Sequence, residues 1–319
     1  MQFCKSTGRN KDENDRVDGN VILYKYRNDS EYTESIFKKH KVWFAKPSEL
    51  NDPLECSIQN IASDKISKII EEEKELYYKA FNQVDRENEK KKSEYALSEI
   101  KQLIQTYGGF YKGVYSDKNL MDINNYEINC TPETKYFLTN LIIKRAGVFC
   151  LSENSDNALM WSHYGDSGKG IAIGFSISEK EDYNDFTDSC MLLKVNYSNQ
   201  SITLEKIVNT TVGVVGTPNT KPIRFLVPEF TDPFIKSVFS SKIIDWAYEQ
   251  EWRLVCEFSG EIKFNAPIAE IVFGPRCPLE TKNKYIDLTK TILPYPVEFY
   301  EIIISGRNYK KAKMDIKGW

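Results

Sequence analysis

The sequence predicts an α+β protein built on a mixed sheet of six to eight strands. Three observations carry this. Short apolar runs of strand length recur, at 21–27, 41–45, 148–151, 171–177, 191–197, 248–256, 268–273 and 296–305. Helical stretches fall between some of these runs but not others, so no regular strand–helix–strand alternation develops. The 319 residues are 41% hydrophobic and 13% aromatic, which suits a packed core and not a disordered chain.

Taken in order, residues 1–19 are polar and read as a tail. The run at 21–27 alternates as a strand, and Asn28, Asp29 and Ser30 then offer a cap for a helix over 31–40. A second strand at 41–45 ends before Pro47, and a turn-rich loop follows with carboxylates at Glu49, Asp52 and Glu55. From about 61 to 106 the composition turns to Glu and Lys with apolar residues at helical spacing, which predicts a helical insertion. Thr131, Pro132 and Glu133 give a cap, a proline and an acid at the start of a helix that ends at Gly147. Residues 201–230 give no clear pattern. Asp232 and Pro233 open a helix expected to reach Trp246, and 278–290 reads as helical. One domain is expected over 20–310, with a basic tail at 311–319.

Composition removes several classes of function. With 43 basic and 46 acidic residues the net charge is −3, so the chain has no global basic footprint for nucleic acid. The seven cysteines are scattered without a CxxC, and with only two histidines a zinc site has too few candidate ligands. Cys150 and Cys256 lie in apolar strands and read as small buried hydrophobes, so a reducing cytoplasm is the expected setting. The N-terminus lacks the apolar core of a signal peptide, and no apolar run reaches membrane-spanning length.

The chain is organised around 147–178, GVFCLSENSDNALMWSHYGDSGKGIAIGFSIS. Met160, Trp161, His163 and Tyr164 crowd one short helix, flanked by glycines, between two apolar strands. His163 has the chemistry of a base, a proton donor or a phosphate ligand, or else of a hydrogen-bonded, half-buried histidine. Tyr164 suits stacking on a planar ligand or plain packing, and Trp161 and Met160 read as core. The run GDSGKG at 165–170 lacks the spacing of a phosphate loop. In the late strand, alternation puts Glu249, Glu251, Arg253 and Val255 on one face. Taken alone, that is a solvent face with a Glu251–Arg253 pair of small worth. On the first strand Tyr24 and Tyr26 share one face, and Lys25 and Arg27 the other; Arg27 suits a bidentate phosphate contact or an exposed edge. Asn51 and Asp52 precede Pro53 in a turn that also suits ligand groups.

The chain resembles the bacterial DUF2971 family, whose function is unknown. The likeness rests on LYKYR at 23–27, VWFA at 42–45, LNDPLE at 50–55, LMWSHY at 159–164, GKGI at 168–171 and EQEWRL at 249–254. The order of elements also resembles ADP-ribosyltransferase-type domains, and the late EQEWR run resembles that of abortive-infection proteins. That likeness implies a split mixed sheet with NAD, as substrate, between its halves. It implies that Glu251 stabilises the transition state and that Glu249 or His163 activates an acceptor. It implies that Arg27 binds the pyrophosphate and that Tyr164 or Trp43 stacks on nicotinamide, with Tyr24, Asn51, Asp52, Ser152 and Trp161 lining the nucleotide site. The expectation is an NAD-consuming enzyme, transferring ADP-ribose to a macromolecule or to water as a toxin or anti-phage effector. The alternatives are a nucleotide- or protein-binding sensor and, less favoured, a metal-dependent nuclease using Asp52, Glu55 and Glu251. The insertion offers a surface for homo-oligomers or a cover for the cleft.

Overall fold

A computed structural model of the protein describes residues 20–53, 55–56, 68, 71–72, 132–178, 190–200, 209–215 and 223–316. The expected tail at 1–19 and nearly all of the helical insertion at 61–106 lie outside these residues. The chain forms two compact units. One comprises Met1–Glu49, Ala146–Asn199 and Ser240–Trp319, and the other Leu50–Arg145 and Gln200–Phe239. Among the described residues no helix is long and apolar enough to cross a membrane.

The first unit opens with β1 (Asn20–Arg27) and α1 (Glu31–Lys39). Ser30 caps α1 by accepting the Thr33 N–H, acids fill the first turn, lysines fill the last, and His40 ends it in the left-handed region. Strand β2 (Lys41–Phe44) follows. Helix α2 (Pro132–Arg145) closes the first segment of the second unit. The first unit resumes with β3 (Gly147–Ser152), α3 (Ala158–His163), β4 (Ile171–Ser178), β5 (Cys190–Lys194) and β6 (Asn196–Tyr197). Within the ambiguous 201–230, β7 (Thr210–Val215) and β8 (Ile223–Pro228) pair as an antiparallel hairpin of the second unit.

Helix α4 (Pro233–Ser240) stops six residues short of the expected Trp246. The chain instead forms β9 (Ser241–Lys242), which pairs in parallel with β6, and then a 3-10 turn, Ile244–Glu249. Tertiary pairing thus overrides a helical pattern. Strand β10 (Glu251–Cys256) begins later than the sequence implies, because Gln250 takes a left-handed φ of 45°. Strands β11 (Gly260–Lys263) and β12 (Ile268–Phe273), helix α5 (Leu279–Ile292), and strands β13 (Glu298–Ser305) and β14 (Asn308–Lys313) complete the unit. The expected basic tail therefore starts inside a strand: β14 pairs with β13 from Ser305↔Asn308 to Tyr300↔Lys313.

Eight strands form one sheet in the order β14-β13-β12-β4-β1-β3-β10-β5. All neighbours are antiparallel except β12 and β13, which α5 connects as a crossover. One junction is thin. β1 pairs with β4 along its whole length, from Asn20↔Ser178 to Arg27↔Ile171, but meets β3 only at Tyr24↔Ser152. One face of the sheet carries the main core, with Leu23, Phe149, Phe175, Leu254 and Phe273 packed against Phe37, Phe44 and Tyr285. The other face holds Tyr24, Tyr26, Trp161, Val272 and Ile302.

Cys256 is not a lone buried hydrophobe. It stands directly opposite Cys190 in the β10–β5 register, and the two form a disulfide. Cys150 stays reduced.

Gly170 has a packing reason. A Cβ there would stand 2.1 Å from the Arg27 carbonyl oxygen, and its own N–H bonds the Gly165 carbonyl at 2.9 Å. The obstacle is backbone, so a side chain cannot turn aside. Gly170→Ala is expected to cost about 3 kcal/mol or more, at or beyond the upper end of overpacking effects, in urea denaturation. An unchanged midpoint would mean that the β1–β4 backbone yields without penalty.

Candidate functional site

The sequence places a short helix immediately after β3, and its two ends aim the side chains of interest. Asn157 caps α3, accepting the N–H groups of Leu159 at 2.8 Å and Met160 at 3.3 Å, and its amide donates to the Tyr248 carbonyl at 3.3 Å. This ties α3 to the 3-10 turn before β10. Trp161 anchors the helix: it is fully buried, its indole N–H donates to the Ser155 carbonyl at 2.9 Å, and Tyr26 meets it edge-on at 4.9 Å. Trp161 is therefore core.

With α3 fixed, the Tyr164 hydroxyl donates to Glu249 Oε1 at 2.6 Å. Glu249 sits in the turn, not on the strand face that alternation implies, and reaches the same place as Glu251 from beside it. Lys242 links the two: its ammonium lies 2.5 Å from Glu249 Oε2 and 3.1 Å from Glu251 Oε2. Arg253 completes the group with a bidentate grip, Nε to Glu251 Oε1 at 2.8 Å and Nη2 to Oε2 at 2.9 Å. The Glu251–Arg253 pair read from the sequence exists, but it is interior and not on a solvent face. Exposures are 9% for Lys242, 4% for Glu249, 4% for Glu251 and 0% for Arg253, so these charges have to balance one another, and two of each sign do.

The electrostatics follow from this packing. Burial pushes the Glu251 carboxyl upward, but Arg253, by charge and hydrogen bonds, and then Lys242 outweigh it and hold the group at about 2. The Cys150 thiol also donates to Glu251, and burial together with that carboxylate keeps the thiol protonated. The backbone N–H of Glu251 donates to the Tyr197 hydroxyl at 2.8 Å. Burial holds Tyr197 above the ordinary tyrosine range. Ser152, paired with both Tyr24 and Glu251 in the sheet, donates its hydroxyl to the Glu249 carbonyl at 2.5 Å.

Above this buried quartet lies a row of rings. His163 is exposed, with its ring centroid 6.2 Å from Tyr164 and 6.3 Å from Tyr248; Trp246 follows at 6.0 Å from Tyr248, and Lys242 stands 4.9 Å from the Trp246 centroid. Burial and the nearby Glu249 raise Tyr248. The rings are tilted to one another by 37–61° and meet the charge cluster through the Tyr164 hydroxyl and Lys242.

Of the residues singled out from the sequence, the structure brings together His163, Tyr164, Ser152, Glu249 and Glu251. Tyr24 lies on the same face, but its hydroxyl turns away to Glu270 at 2.6 Å and accepts from Lys311 at 2.9 Å. Gly174 leaves it room: a Cβ there would meet Glu270 Cγ at 2.7 Å. Arg27 stands on the opposite face of the sheet from Glu251, two residues along β1 from Lys25. Trp43 is 55% exposed on β2, opposite Glu261. Asn51, Asp52 and Glu55 belong to the second unit. Among the described residues no three His, Cys, Asp or Glu side chains converge as a metal site. Sequence reasoning missed Lys242, Tyr197, Tyr248 and Trp246 as members. The available signal was the single lysine between two apolar pairs in VFSSKIID.

Residues 160–254 match the DUF2971 family model, described as a protein of unknown function. The matched segment starts in α3 at Met160 and ends in β10 at Leu254, so it contains every charged member of the cluster and Tyr164. Neither the curated proteins nor the solved structures give a match.

Proposed function

We propose that the chain is an NAD-consuming enzyme that breaks the bond between nicotinamide and ribose, with Glu249 as the operative carboxylate. The observation that carries this reading is the contact of Tyr164 with Glu249 beside the single-pair junction of β1 and β3. Glu251 has both oxygens occupied by Arg253 and Lys242, whereas among the described residues Glu249 Oε1 is held by a single tyrosine hydroxyl at the half-exposed aromatic surface. A ribose hydroxyl has the same donor chemistry as that tyrosine and replaces it on Glu249. The carboxylate then faces the positive charge that grows on the ribose carbon as the carbon–nitrogen bond breaks and nicotinamide leaves with the electron pair. Water or an acceptor group attacks that carbon, and His163, exposed beside Tyr164, takes the proton it loses. Glu251 acts as a positioning residue, through Lys242.

The observation favouring the second reading, a sensor that binds a nucleotide without turnover, is that all four buried charges are already paired. The purified chain incubated with NAD separates the two. Free nicotinamide and loss of NAD support the enzyme; quenching of tryptophan fluorescence by NAD without nicotinamide supports the sensor. In a cell, the enzyme would drain NAD and arrest growth on expression, which is how a toxin or anti-phage effector acts.

A further inference from the structure

We propose that Arg27 and Lys25 form a second site, on the face of the sheet away from the carboxylate cluster, that takes a phosphate-type oxyanion. Side chains alternate along β1, so Tyr24 and Tyr26 enter one face while Leu23, Lys25 and Arg27 share the other. The Lys25 ammonium confirms the facing: it stands 4.8 Å from the centroid of Phe149, a member of the main core.

Among the described residues neither cation forms an ion pair with a carboxylate. Arg27 is mostly withdrawn from solvent, its Nε is fully buried, and that N–H has no hydrogen-bond partner. Among the described residues no carboxylate pairs with its guanidinium. Asp29, the nearest acid in sequence, is engaged by Lys284, Tyr285 and Thr281. Lys25 donates to one neutral acceptor, the Cys150 carbonyl at 2.9 Å, across the gap where β1 and β3 do not pair. Burial pushes hardest against the Lys25 ammonium and the charge of Arg27 adds to it, while Cys150 and, less, Glu251 and Glu249 offset part of this.

Elsewhere in this unit buried charge is balanced closely, as in the quartet around Lys242. A guanidinium desolvated without a partner is costly to fold, and an uncompensated neighbour of like sign adds to the cost. A tetrahedral oxyanion removes both penalties. It accepts two N–H groups from the planar fork of Arg27 and a third from the spare hydrogens of Lys25. The chemistry is that of a phosphate group, free or carried by a nucleotide. The site does not depend on Glu249 or on turnover of NAD.

Thermal melting tests it, with inorganic pyrophosphate and ADP as probes at matched ionic strength. Wild type is expected to gain about 2 °C or more at saturation. Arg27→Met, which keeps the aliphatic stem, is expected to show no gain, and Lys25→Met a reduced one. A gain with both probes assigns the phosphate group itself, and a gain with ADP alone assigns a nucleotide. Without a probe, Arg27→Met is expected to melt no lower than wild type, since it deletes a charge that no carboxylate among the described residues balances. The proposal is overturned by no gain in wild type with either probe, by a gain that survives in Arg27→Met, or by a probe-free Arg27→Met several degrees less stable than wild type.

Discussion

Glu249→Gln is expected to lower nicotinamide release from NAD by about 100-fold or more, the scale of losing one preorganised electrostatic contact in a transition state. The amide keeps the volume of the side chain and can still accept the Tyr164 hydroxyl, which lies 2.6 Å from Oε1 in the wild type. What it loses is the negative charge beneath the ribose carbon. Release and stability must be measured together, because the amide also loses a buried charge partner of Lys242. A folded variant that melts several degrees lower, with release nearly abolished, is the expected pair of results. Release at the wild-type rate would remove this carboxylate from the mechanism.

The largest effect on stability is expected at Arg253. Arg253→Met should cost about 3–5 kcal/mol in urea denaturation, the usual consequence of stripping one partner from a buried ion pair. The arginine is fully buried and holds both oxygens of Glu251, so its loss leaves that carboxylate to Lys242, which Glu249 already shares. Adding Glu251→Met to Arg253→Met should return part of the loss, because the uncompensated charge is then gone. A single variant within about 1 kcal/mol of wild type would contradict the interior charge balance.

The same pair sets a dependence on pH. Glu251 titrates at about 2 in the folded chain against an ordinary 4.5, so the folded state binds its proton more weakly than the unfolded state. Its contribution is in force above pH 4.5 and is lost as the pH falls toward 2. About 3 kcal/mol should disappear across that window in wild type, and much less in the Glu251→Met, Arg253→Met variant.

Much of the sheet was legible from apolar runs, because alternation and strand length are local properties. Glu251 and Arg253 were legible as a pair for the same reason: two residues apart on a strand, they share a face. Their burial was not, since it depends on α3, β6 and the 3-10 turn closing over them. Lys242 was hidden by a pattern that continues the α4 helix, and only pairing of β9 with β6 breaks that helix. Glu249 was placed on the strand because nothing local announces the left-handed turn at Gln250. Tyr24 and Arg27 show the opposite limit. Their faces followed from alternation, but the partners that draw Tyr24 toward Glu270, 246 positions away in sequence, are invisible to any local pattern.

The disulfide carries a further consequence. It fastens the outermost ribbon, β5, to the ribbon that bears Glu251 and Arg253, and β5 runs straight on through Val195, whose N–H bonds the Glu251 carbonyl at 2.9 Å, to Tyr197. A covalent rivet at one end of β5 and a hydrogen-bonded clasp just beyond the other stop this margin from fraying. Redox chemistry at a point some five residues from the glutamate therefore has mechanical access to it.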